Sequence, residues 1–190
     1  MSVLDANVAG TMQRVLIVGS SGAGKSTLST ELAAKLKLPL IHLDAEFWKP
    51  GWVETPRPEW AKRVAELCAR DSWVMDGNYS GTLAHRVQAC DTVVLLDYPR
   101  LLCLSRVARR AIRFRGRTRP DLSAGCPEQL PSLQFLLWIW SYPRRSLPKV
   151  MQILRESPHC QVIILKSPAA AHAWLSKVSL RNNSPVDLSL

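Results

Sequence analysis

Eight consecutive residues carry the clearest chemistry in this chain. Gly19-Ser20-Ser21-Gly22-Ala23-Gly24-Lys25-Ser26 meets every fixed position of the spacing G-x-x-x-x-G-K-[ST]. Glycines at that spacing let the backbone turn tightly and aim successive N–H groups at phosphate oxygens. A helix starting at Lys25 adds its positive dipole end. Lys25 is then placed to reach the outer phosphates, the Ser26 hydroxyl takes one position on Mg²⁺, and Thr27 follows in the first helical turn. The ligand these residues imply is a nucleoside triphosphate, ATP with Mg²⁺.

Two further sets of residues have the types that phosphate chemistry uses. Asp44, Asp76 and Asp97 each close an apolar run: LPLIHLD, WVMD and DTVVLLD. Between Arg100 and Arg119 lie eight arginines, at 100, 106, 109, 110, 113, 115, 117 and 119, with no acidic residue among them. Arg106, Arg109, Arg110 and Arg113 recur at i, i+3, i+4 and i+7, so they share one helix face. That face is expected opposite an apolar stripe of Leu101, Leu104, Ala108 and Ile112. Arg117 and Arg119 fall in RGRTRPDLSAGCP, which has the glycine, proline and charge of an exposed loop. So many uncompensated like charges repel one another, and an incoming anion would relieve them.

The elements that hold these residues follow from periodicity. Arg14 to Gly19 is a β-branched and aliphatic run, and Leu28, Leu32 and Leu36 recur every four residues in a helix after Lys25. Further strands are expected at 38–43, 73–75, 92–96 and 162–165. Helices are expected at 56–70, 80–89, from 100 onward, in two segments broken near Pro143 and Pro148, and at 169–178. The strands are continuous apolar runs, so they are buried on both faces. The fold class is therefore α/β, a parallel sheet with helices on both sides. Ligands of such sheets sit beyond the C-terminal strand ends, where Gly19, Asp44, Asp76 and Asp97 all fall. Asp97 closes its strand in Walker B fashion and is expected to hold Mg²⁺ through water. Trp48, Trp52 and Trp60 are expected to pack together, and His42 and Cys126 to be structural.

Composition sets outer bounds. The 190 residues suit one domain, read here as 14–180, with an unstructured extension at 1–13 and a frayed tail at 181–190. The net charge is +10, but it is local. Without the eight arginines the 25 basic residues fall to 17 against 15 acidic ones. No apolar run approaches the roughly 20 residues of a membrane span, and the first residues lack the basic and apolar regions of a secretory signal. Five cysteines with no C-x-x-C pair argue for reduced thiols in a cytoplasm. A nucleic-acid partner is the other reading of a pI of 9.8, although no helix-turn-helix or RNA-binding signature is visible. A guanine-selecting N-K-x-D motif is absent.

GSSGAGKST, HLDAEFWKPGW, WVMDGNYSGTL, DTVVLLDYPR, RGRTRPD, GCPE and FLLWIWSYP together span about residues 14 to 165. On these stretches the chain resembles nucleoside-monophosphate-kinase-type P-loop proteins, and more closely the adenylate kinase-related family labelled "DNA topology modulation proteins". The resemblance implies a P-loop kinase fold with a five-stranded parallel sheet in the order 2-3-1-4-5. It also implies a substrate-binding insert over about 45–70 and an arginine-rich lid over about 114–128. The implied activity is ATP-dependent phosphoryl transfer to a small nucleotide-like or hydroxyl acceptor. Arg106, Arg109 and Arg110 would join Lys25 in catalysis, and Arg117 and Arg119 would contact the nucleotide. In shikimate- and gluconate-type kinases of this architecture, an aspartate at the second strand end takes the hydroxyl proton or orients the substrate. Asp44 stands at that place. Asp76-Gly77 resembles the start of the adenylate kinase DGFPR motif, but Asn78-Tyr79 replaces the next two residues. The motif's phosphate-binding arginine is absent, which leaves Arg86 or Arg57 to substitute and counts against AMP as the acceptor.

Overall fold

A computed structural model describes residues 12–178. The expected tail lies outside these residues, as does the expected extension apart from Met12 and Gln13. Gln13 is tied down, donating its N–H to Asp91 and accepting from Trp73 N–H.

Five strands, β1 (Arg14–Gly19), β2 (Leu40–His42), β5 (Trp73–Asp76), β6 (Thr92–Leu96) and β7 (Gln161–Leu165), form one parallel sheet in the order β2-β5-β1-β6-β7. A separate antiparallel hairpin pairs β3 (Trp48–Lys49) with β4 (Val53–Glu54). With that hairpin set aside, the order is the expected 2-3-1-4-5. Helices α1 (Lys25–Leu36), α5 (Arg100–Arg113), α6 (Leu133–Arg145) and α8 (Pro168–Lys177) cover one face. The other face carries α3 (Arg57–Cys68), α4 (Ser80–Ala89) and α7 (Leu147–Arg155).

Each strand feeds both cores because its side chains alternate between faces. Val15, Ile17, Val74 and Val94 pack with Leu28 and Leu32 of α1 and with Cys103 and Val107 of α5. Leu16, Val18, Met75 and Leu95 pack with Val64, Leu67, Leu83, Val87 and Leu154 on the opposite side. No described helix is long and apolar enough to cross a membrane.

The structure departs from the sequence expectations at four places. The second strand stops at His42, and Leu43–Phe47 forms a short helix, α2, so Asp44 sits in a first helical turn and not on a strand end. The turn-rich insert is a hairpin, closed through Gly51 (φ 79°) and Trp52 (φ 63°). Pro143 does not break its helix. It lies two residues before the end of α6, in the last turn, and the break falls at Ser146. Pro148 sits in the first turn of α7, where a missing N–H costs nothing.

The fourth departure concerns α5. Its buried residues are Cys103, Val107 and Ala111, while Leu101 and Ile112 of the expected core stripe are 69% and 76% exposed. The helix is apolar on two sides, and the smaller side chains face the core. A close approach explains this, since a Cβ added at Gly22 would stand 2.2 Å from the Cys103 carbonyl oxygen. Bulky leucines could not pass so near the phosphate loop.

One side chain locks the sheet at the end remote from the loop. Asp91 Oδ2 accepts the N–H groups of Gln13 (2.9 Å) and Arg14 (2.6 Å), and Oδ1 accepts the Thr92 hydroxyl (2.7 Å). Asp91→Ala should therefore cost about 1–3 kcal/mol through its orphaned donors, with ATP affinity untouched. A lowered urea midpoint with an unchanged slope is the expected reading, and an unshifted midpoint would refute it.

Candidate active site

The phosphate loop joins β1 to α1 with backbone conformations that L side chains resist. Gly19, Gly22 and Gly24 have φ of 147°, 80° and 95°. Gly24 is the N-cap of α1 and offers no side-chain cap, so the first helical N–H groups face outward unpaired by one. Ala23 is buried and Ser21 half-buried, while Thr27 is exposed in the first turn. Ser20 is buried with its hydroxyl unpartnered. Lys25 Nζ folds back over the loop, donating to Gly19 O (3.0 Å) and Ser20 O (3.1 Å). Burial lowers the Lys25 pKa against the opposing pull of Asp44 and Asp76, with Arg110 reinforcing the fall. Asp44, Asp76 and Arg110 therefore each lie within electrostatic reach of Lys25.

On the β5 side, Asp76 is only 3% exposed. Its Oδ2 accepts the Ser29 hydroxyl of α1 (2.8 Å), and Oδ1 lies 3.1 Å from His42 Nδ1. The next residues, Gly77 to Tyr79, turn into α4. Asn78 Oδ1 accepts the Gly19 N–H (3.3 Å), which fastens this turn to the phosphate loop. Tyr79 adopts φ 25° and donates its hydroxyl to Asp44 Oδ1 (2.7 Å). Burial and the Asp44 carboxylate push the Tyr79 pKa far up, so the phenol stays a donor. Its ring packs on Phe47 and Trp60, at 4.8 and 4.9 Å between centroids. Trp48 packs on Trp52 and Phe47, making a small aromatic core for the insert.

Arg86 and Arg57 do not meet at this site. Arg86 is fully buried, and its guanidinium donates to the carbonyls of Gly77, Asn78 and Tyr79. Burial lowers its pKa to about 10, still well above neutrality. The expectation that it reaches an acceptor phosphate is therefore corrected: it shapes the turn from beneath. Arg57 is exposed at the start of α3, with no partner among the described residues.

The arginine-rich segment differs from expectation in charge. Arg110 Nε donates to Glu128 Oε1 (2.9 Å), and Arg119 Nε stands 2.7 Å from Glu128 Oε2. Arg119 also donates to Asp121 Oδ2 (2.8 Å), and the same oxygen accepts the Ser26 hydroxyl (2.9 Å). A line of charges thus runs from α5 through the α5–α6 connection to the phosphate loop. Two acids just beyond the arginine run compensate it. The sequence held the signal, in RPD and in GCPE, but a charge count that ended at Arg119 passed over it. Arg106 Nη1 donates to Ala23 O (3.2 Å) and its guanidinium lies 5.7 Å from the Tyr98 ring. Arg109 and Arg117 are exposed.

Asp97 is half-buried just past β6, and its N–H donates to Leu165 O. Its carboxylate has no hydrogen-bonded side chain among the described residues. Nor does any group of three or more acids, histidines and cysteines form a metal cage there. The donors fit a cation that arrives on phosphate oxygens, with the Ser26 hydroxyl as a protein ligand, better than one held by protein alone.

The fold is that of the P-loop kinases. The shikimate kinase of Acinetobacter baumannii, solved in complex with shikimate, superposes with a TM-score of 0.57 at 21% identity over 88% of this chain and 90% of that one. The shikimate kinase of Aquifex aeolicus gives 0.51 at 17% identity, over 86% and 92%. Neither the family models nor the curated proteins gave a match.

Glu128 has the most to lose at this site, since both of its oxygens are committed. Glu128→Ala would leave two guanidiniums facing each other, and breaking a buried pair from one side costs about 3–5 kcal/mol. The expected result is faster proteolysis between residues 114 and 132 together with a lower Tm. Unchanged cleavage would show that the pairs do not hold the segment.

Proposed function

We propose that this protein is an ATP-dependent kinase that transfers the γ-phosphate to a hydroxyl of a small acceptor. The observation that supports this reading is a carboxylate, Asp44, held by the Tyr79 hydroxyl at 2.7 Å and acting electrostatically on the Lys25 ammonium of the phosphate loop. A phosphate acceptor such as AMP needs a cationic clamp at the 76–79 turn. Arg86, the arginine nearest in sequence, is spent on carbonyls there. A hydroxyl acceptor needs hydrogen-bond acceptors, and carboxylates supply them.

When bound, Mg·ATP supplies the phosphoryl group and the cation that spreads its charge. The loop N–H groups and Lys25 would hold the phosphates, and Ser26 with Asp97 would hold Mg²⁺ to neutralise their charge. Arg106 on α5, which reaches the loop at Ala23 O, would face the transferring group. To join it, Arg109 and Arg117 would have to swing in from solvent, and Arg110 and Arg119 to leave Glu128 and Asp121. Asp44 orients the acceptor hydroxyl with Oδ2, because Oδ1 already receives the Tyr79 phenol. Asp76, Asn78 and Tyr79 form the floor of that space. All five cysteines are free thiols, which suits the cytoplasm.

A DNA-associated regulator is the competing use of the positive charge. Arg110 in the middle of the basic run and Arg119 at its end are neutralised by Glu128 and Asp121, which leaves a smaller free footprint for nucleic acid.

The deciding measurement is ADP release against a panel of small polyols, hydroxy acids, nucleosides and nucleoside monophosphates. A hydroxyl compound should stimulate release, and Lys25→Ala should abolish it while the protein stays folded. Stimulation by monophosphates alone would overturn the acceptor class. Asp44→Asn should lower kcat/KM for the acceptor by on the order of 10- to 100-fold, the worth of one hydrogen bond to a charged group, with ATP affinity unchanged.

A further inference from the structure

His42 ends β2, and the parallel register sets it directly opposite Asp76 of β5. Registered neighbours on adjacent strands project to the same face, so the imidazole and the carboxylate meet at the sheet's C-terminal edge. Nδ1 lies 3.1 Å from Asp76 Oδ1, and Asp76 Oδ2 is held in turn by the Ser29 hydroxyl of α1 at 2.8 Å. The carboxylate is thus fixed from two sides and almost wholly buried. A carboxylate that receives Nδ1–H selects one tautomer and leaves Nε2 with a free lone pair. Nε2 has no partner among the described residues, and 16% of the side chain remains exposed.

We propose that His42 is the proton acceptor of this site, with Asp76 and Ser29 as the residues that position it. The proposal rests on the kinase reading above and names the group that reading lacks. His42 Nε2 takes the proton of the acceptor hydroxyl as the hydroxyl oxygen bonds to the γ-phosphorus. The bond from that phosphorus to the departing ADP oxygen breaks with its electron pair. The proton ends on the imidazolium, whose charge Asp76 balances, and then leaves to solvent. Asp44 keeps the hydroxyl aligned and need not change its protonation.

The surrounding charges suit this role. Burial alone would lower the imidazole pKa, but the hydrogen bond and charge of Asp76 outweigh it, with Asp121 and Asp44 adding to the rise. Those three carboxylates come from β5, the α5–α6 connection and α2, and the cation facing Asp44 and Asp76 from α1 is Lys25. The ring is therefore a stronger base than an isolated histidine. It is also charged below its raised pKa, so turnover must climb with pH through that value.

The test uses the full chain with Mg·ATP and whichever hydroxyl compound stimulates ADP release, or water as acceptor through basal hydrolysis. His42→Asn keeps a donor for Asp76 but offers no base. It should lower turnover by about 10²- to 10⁴-fold at unchanged ATP affinity and flatten the acidic limb. Asp76→Asn removes the main cause of the raised pKa and should move that limb to lower pH. A structural histidine predicts otherwise: a lower Tm with the pH profile intact, and that result would overturn the proposal. A second readout needs no turnover. With ¹⁵N-labelled imidazoles, and the His42 signal assigned by its loss in His42→Asn, Mg·ADP with aluminium fluoride should shift Nε2. An Nε2 signal indifferent to a bound fluoride complex refutes the role of His42. Failure of that complex to form would instead refute the kinase reading itself.

Discussion

A carboxylate buried at the end of a central strand must be neutralised where it stands, because water cannot reach it. Asp76 imposes this constraint, and the surrounding elements answer it. Ser29 reaches it from α1 and His42 from β2, while Lys25 lies close enough for its own pKa to feel the charge. The helix that follows the phosphate loop is thereby keyed to β5, and β2 is keyed to the same point from the other side. The phosphate loop and the turn after β5 then share one rigid floor. The turn that follows extends this floor, since Asn78 holds Gly19 and Arg86 gathers three carbonyls from below.

Above that floor, the arginine-rich segment is ordered by alternation of charge. Glu128 sits between Arg110 and Arg119, and Asp121 sits between Arg119 and Ser26. Each acid serves two donors, so removing any member strands its neighbours. A bare row of guanidiniums would hold itself open by repulsion. The two acids tie the segment down instead, with Asp121 reaching Ser26 of the phosphate loop.

The covering of both faces and the phosphate loop were legible in the sequence, because continuous apolar runs and fixed glycine spacing are local signals. The strand order came only with the resemblance to nucleoside-monophosphate-kinase-type proteins. The acid–base partners were not legible, because they join residues dozens of positions apart. Ser26 meets Asp121 across 95 residues and His42 meets Asp76 across 34. His42 looked inert because no motif spacing flags a partner supplied by strand register. Arg86 was a candidate only because the adenylate kinase motif's own arginine is absent, and only the folded turn shows three carbonyls converging on it. The α5 stripe misled for a steric reason. Hydrophobicity chose Leu101 and Ile112 for the core, but the closeness of Gly22 to Cys103 allowed only small residues there.

The contacts within the phosphate loop are those a bound nucleotide would replace. Lys25 donates to Gly19 and Ser20 carbonyls, and Ser26 donates to Asp121. Phosphate oxygens are better partners for the ammonium than neutral carbonyls are, since charge-assisted hydrogen bonds are roughly twice as strong. The exchange at Lys25 is therefore favourable. At Ser26 the hydroxyl would give up a carboxylate if it held Mg²⁺, and Asp121 would keep Arg119 as its partner. Neither step leaves a buried charge unpaired. The loop can be held in shape before the nucleotide comes, because what holds it is released to partners that remain in place.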